Sequence, residues 1–388
     1  MRNLSLDVIA FAAAALLTCG MQTSSAAAAA FAPDVAGKVA SLPATPSPHW
    51  VWVNDIDLPH LVDGRAVLVD GDSGRFLGSL STGFSFERLV LSRDGKVIFS
   101  PEAYFARGSR GTRTDVVTLY DTVHLAPLGE IAIPAKRASN FPTMANAELT
   151  DDGQFLLVYN FTPAQSITVV NTQTRQFVGE IETAGCALAY PTGARSFFSI
   201  CADGTLLDVR LNDAGAAISS QRTAPMFDTR RDPVAERPVR LGDTWLFVSF
   251  GGVVYPIVIE KNTPTRGGTW SLLTAADRTQ HWRPGGTQEL AVHSAQNRLF
   301  VIMHQGGLET HKDDGKDVWV YDLARHTRVQ SIALKTSAGS IQVTRDAKPL
   351  LFSISGENGN LGVYDTTSGE FLRSVDGVAT TPTLLITP

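Results

Sequence analysis

Cysteine is nearly missing from this chain: its 388 residues include three, Cys19, Cys186 and Cys201. That is too few for disulfides or metal–thiolate clusters to organise a chain of this length. Long hydrophobic runs are also scarce. Beyond the first 30 residues no stretch reaches the roughly 18–20 apolar residues that a membrane span needs, so no transmembrane helix is expected. There is no cationic excess either: 33 Lys and Arg stand against 38 Asp and Glu, a net charge of −5. The two signs are interspersed, which argues against a nucleic-acid partner. Helical periodicity over a domain's length is lacking, and so is any Gly-rich phosphate loop, since Gly267-Gly268 and Gly285-Gly286 fall between strands.

What is present is a repeat. Ala66–Leu80, Val116–Ile131, Ser166–Ile181, Asp317–Ile332 and Asn360–Val375 each read as an apolar strand, a turn and a second apolar strand. Asp70, Asp121, Asn171, Asp322 and Asp365 occupy one position in it. There a short polar side chain can accept from the backbone amide two residues on and so start the turn. The spacing of about 50 residues leaves room for two degenerate copies between Asn171 and Asp322, found at Thr205–Ser220 and at Val253–Asn262 with GTWSLL beyond it. Upstream of each copy lies another hairpin half, most often with a D-G, T-G or Q-N turn. Seven units of about four strands predict an all-β fold, a seven-bladed β-propeller. The last segment, Thr381–Pro388, aligns with the strand that enters a blade, so the N-terminal strands are expected to complete that blade and remove the free edges.

The ends divide the chain further. Residues 1–30, with Arg2, the apolar run Val8–Leu17 and a small-residue site at Ala28 and Ala30, read as an export signal. An acylation site at Cys19 fits poorly, because Thr18 precedes it. Residues 31–48, rich in Ala and Pro, read as an arm, and residues 49–388 as the propeller. Cys186 and Cys201 flank a turn near Gly193 and Ala194, which places them opposite each other on paired strands where a disulfide can form. Closing such a loop is worth roughly 3 kcal/mol.

Chemistry-bearing constellations are few. His304 and His311 with Asp313 and Asp314 have ligand chemistry, but GGLETHKDDG reads as a polar loop, and His293 as a surface or satisfied core histidine. Thr274 caps one predicted helical turn before Trp282-Arg283-Pro284-Gly285-Gly286 reverses the chain. Arg107, Arg110 and Arg113 stand on a Gly-rich loop that is either a docking surface or a solvated loop. No nucleophile, base or paired carboxylates are found at a useful spacing, so no catalytic residue is assigned in this chain.

RGTRTDVVTLYD, GCALAYPTGARSFFSICADGTL, SLLTAADRTQHWRPGG, THKDDGKDVWVYD and SGEFLRSV resemble, in order and spacing, the heavy (alpha) chain of bacterial quinoprotein amine dehydrogenases, closer to the aromatic than to the methylamine enzymes. The resemblance implies a seven-bladed propeller in a periplasmic α2β2 heterotetramer that oxidises primary amines to aldehyde and ammonia. Electrons would pass to a cupredoxin of the amicyanin or azurin kind. The cofactor, tryptophan tryptophylquinone, would belong to the light (beta) chain, with no cofactor and no metal in this one. Where the methylamine enzymes place a guarding aromatic, this sequence has Ile56-Asp57-Leu58-Pro59-His60-Leu61 and no Phe. Phe84 in STGFSF matches an aromatic of both branches or is a core plug. Leu58, His60, Leu61 and Phe84 are the candidates for a substrate-channel wall. The alternative is a stand-alone exported propeller that binds a ligand or protein without enzymatic activity.

Overall fold

The computed structural model describes residues 40–84, 86, 88–137 and 141–388. The export signal and residues 31–39 of the arm therefore lie outside the described residues. The chain beyond the arm folds into seven antiparallel sheets of four or five strands, arranged as a β-propeller. From the innermost strand outward, the first blade is Val90–Leu91, Val97–Arg107, Arg110–Asp121 and Pro127–Ile133. The second runs from Ala147 to Glu182, the third from Cys186 to Arg222, the fourth from Val239 to Ser271, the fifth from Trp282 to Ala338 and the sixth from Ser340 to Val375.

The burial of each strand explains its composition. Phe155–Asn160, second from the centre of its blade, is buried along its whole length, and the outermost strand Gln176–Glu182 is largely exposed. A strand pressed between two neighbouring blades must be apolar on both faces, whereas an outer strand needs only one. The repeated polar residue does what its position predicts. Asp70, Asn171, Asp322 and Asp365 each accept the amide two residues on, at 2.9–3.0 Å. In the third blade Asn212 takes over, accepting from Ala214 at 3.0 Å. The fourth blade turns differently, through Lys261 and Asn262 with φ of 51° and 65°. Its outermost strand is Thr263–Arg266, so GTWSLL is not that strand as expected; instead Trp270–Ser271 pairs back on Val253 and Val254. A left-handed two-residue turn sends the chain straight back, and the outer strand is complete before the Gly267-Gly268 break.

Two faces result. Turns from the innermost to the second strand, and from the third to the outermost, open on one face, here the turn face. Loops between the second and third strands, together with crossovers between blades, open on the other, the loop face.

The closing blade joins both ends of the described chain. Pro382–Ile386 is innermost, followed by Trp50–Asp55, Gly64–Asp70 and Phe76–Gly83. Val53 lies opposite Leu385 and Trp52 opposite Ile386. Asp55, 2% exposed, locks the joint. One of its carboxylate oxygens accepts the amides of Thr381 at 2.7 Å and Asp57 at 3.0 Å, and the other accepts Thr380 at 2.8 Å. Apolar packing seals both flanks: Val51, Val53 and Leu385 against Phe352 and Leu361 of the sixth blade, Trp50 and Trp52 against Leu89 and Ile98 of the first. In the third blade Cys186 and Cys201 face each other across paired strands and are disulfide-bonded.

Asp55→Ala leaves three amides without their acceptor, that of Asp57 buried and those of Thr380 and Thr381 partly so, at a cost of about 2 kcal/mol or more. The urea midpoint of the variant is expected to fall accordingly; an unchanged midpoint would show that the joint does not depend on this carboxylate.

Candidate functional site

The four channel-wall candidates sit on the loop face of the closing blade. Leu58–Asp63 forms a short 3-10 segment, started by Asp57 in a left-handed conformation at φ 43°. Asp57 holds that turn through its backbone carbonyl, which accepts the His60 amide at 2.7 Å, and through its carboxylate, which accepts from Arg65 at 3.0 Å. The Leu58 amide donates to Thr381 Oγ1 at 3.2 Å. Consequently Leu58 stands 57% exposed, His60 is exposed and Leu61 is half-buried.

Phe84 emerges beside this segment. Gly64, which follows the 3-10 segment, pairs with Gly83, which precedes Phe84, so both leave the blade at one end. Phe84 is half-buried; its amide donates to the Ala103 carbonyl at 3.0 Å and its carbonyl accepts from Arg137 at 3.3 Å. Its ring makes edge contacts with Phe86 at 5.7 Å and Phe105 at 6.1 Å between centroids. Gly83 has φ +58°, and a Cβ there would come within 2.7 Å of the Tyr104 ring, so the approach of the two segments needs glycine.

Beneath that ring lies Glu102, which sequence reasoning did not single out. It is fully buried. Tyr104 donates to its Oε2 at 2.6 Å, Thr118 to the same oxygen at 2.5 Å, and Tyr120 to Oε1 at 3.1 Å. Burial pushes its pKa above the ordinary carboxylate value, and the hydroxyl donors, Thr118 first, only partly oppose this. The network fixes Tyr104 against Gly83, where the closing and first blades meet. The clue in the sequence was parity: Ile98, Ser100, Glu102 and Tyr104 share one side of a strand, and a carboxylate falls on its buried stretch.

The arginine-rich stretch is not a loop. The strands Val97–Arg107 and Arg110–Asp121 continue as a hairpin past the blade, with Arg107 opposite Arg110 at the tip. Long paired strands, broken in register only at Ala106, carry it outward, where a loop was expected. Arg107 and Arg110 are exposed, while Arg113 grips the buried Asp115 with two hydrogen bonds of 2.6 Å and donates to the Arg137 carbonyl. Arg137 in turn reaches Phe84, so the hairpin, the crossover and the aromatic group hold one another in place.

The histidine-rich loop is elsewhere, in the fifth blade. His304 shares a hydrogen with Thr310 Oγ1 at 2.8 Å, His311 stacks on Phe250 at 3.7 Å, and Asp314 accepts from Ser355 at 2.7 Å. Among the described residues no three His, Cys, Asp or Glu side chains converge as a metal group. His293 is a satisfied core histidine, 1% exposed, with its Nε2 on the Asp346 carbonyl and its Nδ1 accepting the Gln296 amide. The capped turn at Thr274 is a helix, Ala275–Thr279, with a reciprocal bond pair between Thr274 and Asp277. Among the described residues no helix is long and apolar enough to cross a membrane.

The tryptophans do not fit a quinone in this chain. Trp50 and Trp52 are packed in the closing blade's core, and Trp270 stacks on His326. Trp282 and Trp319 lie 5.0 Å apart, with Trp319 buried and the Arg328 guanidinium 3.8 Å over its ring, so Trp319 is closed off from solvent.

Residues 48–388 match the family model described as methylamine dehydrogenase heavy chain. The methylamine dehydrogenase heavy chain of Paracoccus versutus is 30% identical over 329 residues, 82% of this chain and 75% of that protein. That of Methylorubrum extorquens is 28% identical over 387 residues, 98% of this chain and 93% of its own. Among solved structures, the periplasmic gluconolactonase of Pseudomonas aeruginosa superposes with a TM-score of 0.59 at 16% identity, covering 87% of this chain and 99% of that one, a likeness of fold.

Glu102 yields a pH signature. Its folded pKa lies above the unfolded value of about 4.3, so its ionisation costs more in the folded state. Stability is therefore lost as pH rises from about 4.3 through the folded value. Glu102→Gln removes the ionisation, and the variant's urea midpoint should gain on the wild type between pH 4.5 and 8. A difference independent of pH would contradict the assignment.

Proposed function

Since this chain belongs to the methylamine dehydrogenase heavy chain family, we propose that it serves as the heavy subunit of a periplasmic amine dehydrogenase that converts a primary amine and water to aldehyde and ammonia, releasing two electrons. The light chain is the partner, in an α2β2 assembly, and carries the tryptophan tryptophylquinone. That group supplies the two-electron oxidation, and a cupredoxin accepts the electrons. The observation that carries this reading is the match to the family over residues 48–388.

The part left to this chain is to wall the passage and to seat its partner. Leu58, Tyr104, Phe161 and Leu308 are each at least 39% exposed; Leu58, Phe161 and Leu308 belong to connections between second and third strands, and Tyr104 to the hairpin that the first blade extends beyond its sheet. Connectivity thus presents all four on the loop face. Large apolar groups gathered on one face suit a protein partner better than water. A light chain seated there would cover Leu58, Leu61 and Phe84 and exclude water from the amine's path, which strengthens every polar interaction along it.

Substrate size follows from the same corner. Leu58 and Leu61 stand where the methylamine enzymes have a guarding ring, and branched aliphatic chains there leave space for an aryl amine. The native complex is expected to reduce a dye with phenylethylamine, and this chain expressed alone is expected to be inactive. Amine oxidation by the isolated chain would overturn the division of labour. A native protein that is monomeric and without quinone absorbance would favour a stand-alone binding propeller.

A further inference from the structure

At the end of the central channel away from Phe84, on the turn face, opens a cavity of about 680 Å³. Innermost strands supply apolar walls, with Leu91, Leu290 and Ile386 among them, but five arginines also line it: Arg88, Arg93, Arg237, Arg240 and Arg345. Only two acidic side chains, Asp94 and Glu148, are on the lining, which also includes the last residue, Pro388. Such a balance runs against the net charge of −5 that the chain carries.

Some of this charge is spoken for. Arg237 pairs with Glu289 at 3.3 Å, and Arg240 holds Asp151 at 2.5 and 2.9 Å. Asp94 is occupied by Ser92 and by Lys96. What remains is a group of three. Arg88 reaches Glu148 at 3.1 Å, Arg93 donates only to the Leu149 and Thr150 carbonyls at 3.1 Å, and among the described residues Arg345 makes no ion pair. Three guanidiniums thus face one acidic side chain, an excess of two positive charges among the side chains. They are close enough to feel one another: burial does most to weaken the hold of Arg88 on its proton, Glu148 opposes it, and the charges of Arg93 and Arg345 add to the weakening. In addition, Arg88 Nε is a buried donor with no acceptor among the described residues. A buried N–H of this kind calls for an acceptor that the surrounding chain does not provide.

We infer that the turn-face mouth of the central channel binds a compact oxyanion with two negative charges, held between Arg88, Arg93 and Arg345. Guanidinium forks match the paired oxygens of phosphate and carboxylate, and charge-assisted bonds of this geometry are the strong ones. The low-dielectric walls raise the attraction above its value at an open surface. A dianion would neutralise the excess and give Arg88 Nε its acceptor. The site lies on the face opposite the proposed amine passage and does not depend on that reading.

The test is calorimetric titration of the native protein, dialysed free of multivalent anions, with inorganic phosphate and separately with malonate, at ionic strength held constant with sodium chloride. Saturable binding of either is expected, and the preferred one identifies an inorganic or a carboxylate ligand. Arg345→Gln, an exposed change with no ion pair to lose, should weaken it about tenfold or more, the value of roughly one charge-assisted bond. Arg325→Gln, at an outer turn with 77% of its side chain exposed, should leave it unchanged. Circular dichroism melting confirms that both variants fold. Absence of saturable binding, or equal weakening by both substitutions, would overturn the proposal.

Discussion

Everything in this molecule depends on one joint, the pairing of Pro382–Ile386 with Trp50–Asp55. A ring of blades has no edge only if its first and last strands meet, and an open ring would expose unpaired strand edges and the flanks of two blades. Here the meeting is secured twice, by the backbone ladder and by the Asp55 carboxylate, which draws amides from both sides of the joint. The joint also positions the candidate site. The 3-10 segment at Leu58 begins three residues past Asp55 and is tied to Thr381, so the channel-wall candidates are held by the same bonds that close the ring.

The two faces have diverged for a physical reason. On the turn face the chain reverses in tight, side-chain-capped turns that repeat from blade to blade, leaving the short rim around the arginine-lined mouth. Loops on the other face are free of that restraint, and there the first blade extends its hairpin to Arg107 and Arg110 and the closing blade carries its exposed leucine. A rigid ring that presents variable loops on one side is suited to building a passage against a second protein.

Local rules made much of this readable in the sequence. Asp70 and its counterparts announced the turns because an Asx turn is decided within three residues, and seven repeats of one pattern leave few architectures. The final strand was legible because it matched the opening of a blade and lacked a partner of its own. Glu102 was not, because its three donors come from Tyr104, Thr118 and Tyr120, and only the register between two strands brings them together. Likewise Arg345 is separated from Arg88 and Arg93 by most of the chain and meets them only where blades converge on the axis. The outer strand of the fourth blade was misplaced because Lys261 and Asn262 give no strong left-handed signal, yet both adopt that conformation. Short polar turns and long repeats are written in sequence, whereas sites assembled across blades are not.

The central claim is that the corner of Leu58, Leu61 and Phe84 walls the path of the amine. The most direct measurement is kcat/KM of the assembled enzyme carrying Leu58→Trp, with phenylethylamine and with methylamine. Added bulk in an apolar passage is worth about tenfold or more against the larger substrate. The account predicts that loss for phenylethylamine with methylamine nearly unaffected, and an unchanged ratio of the two would contradict it.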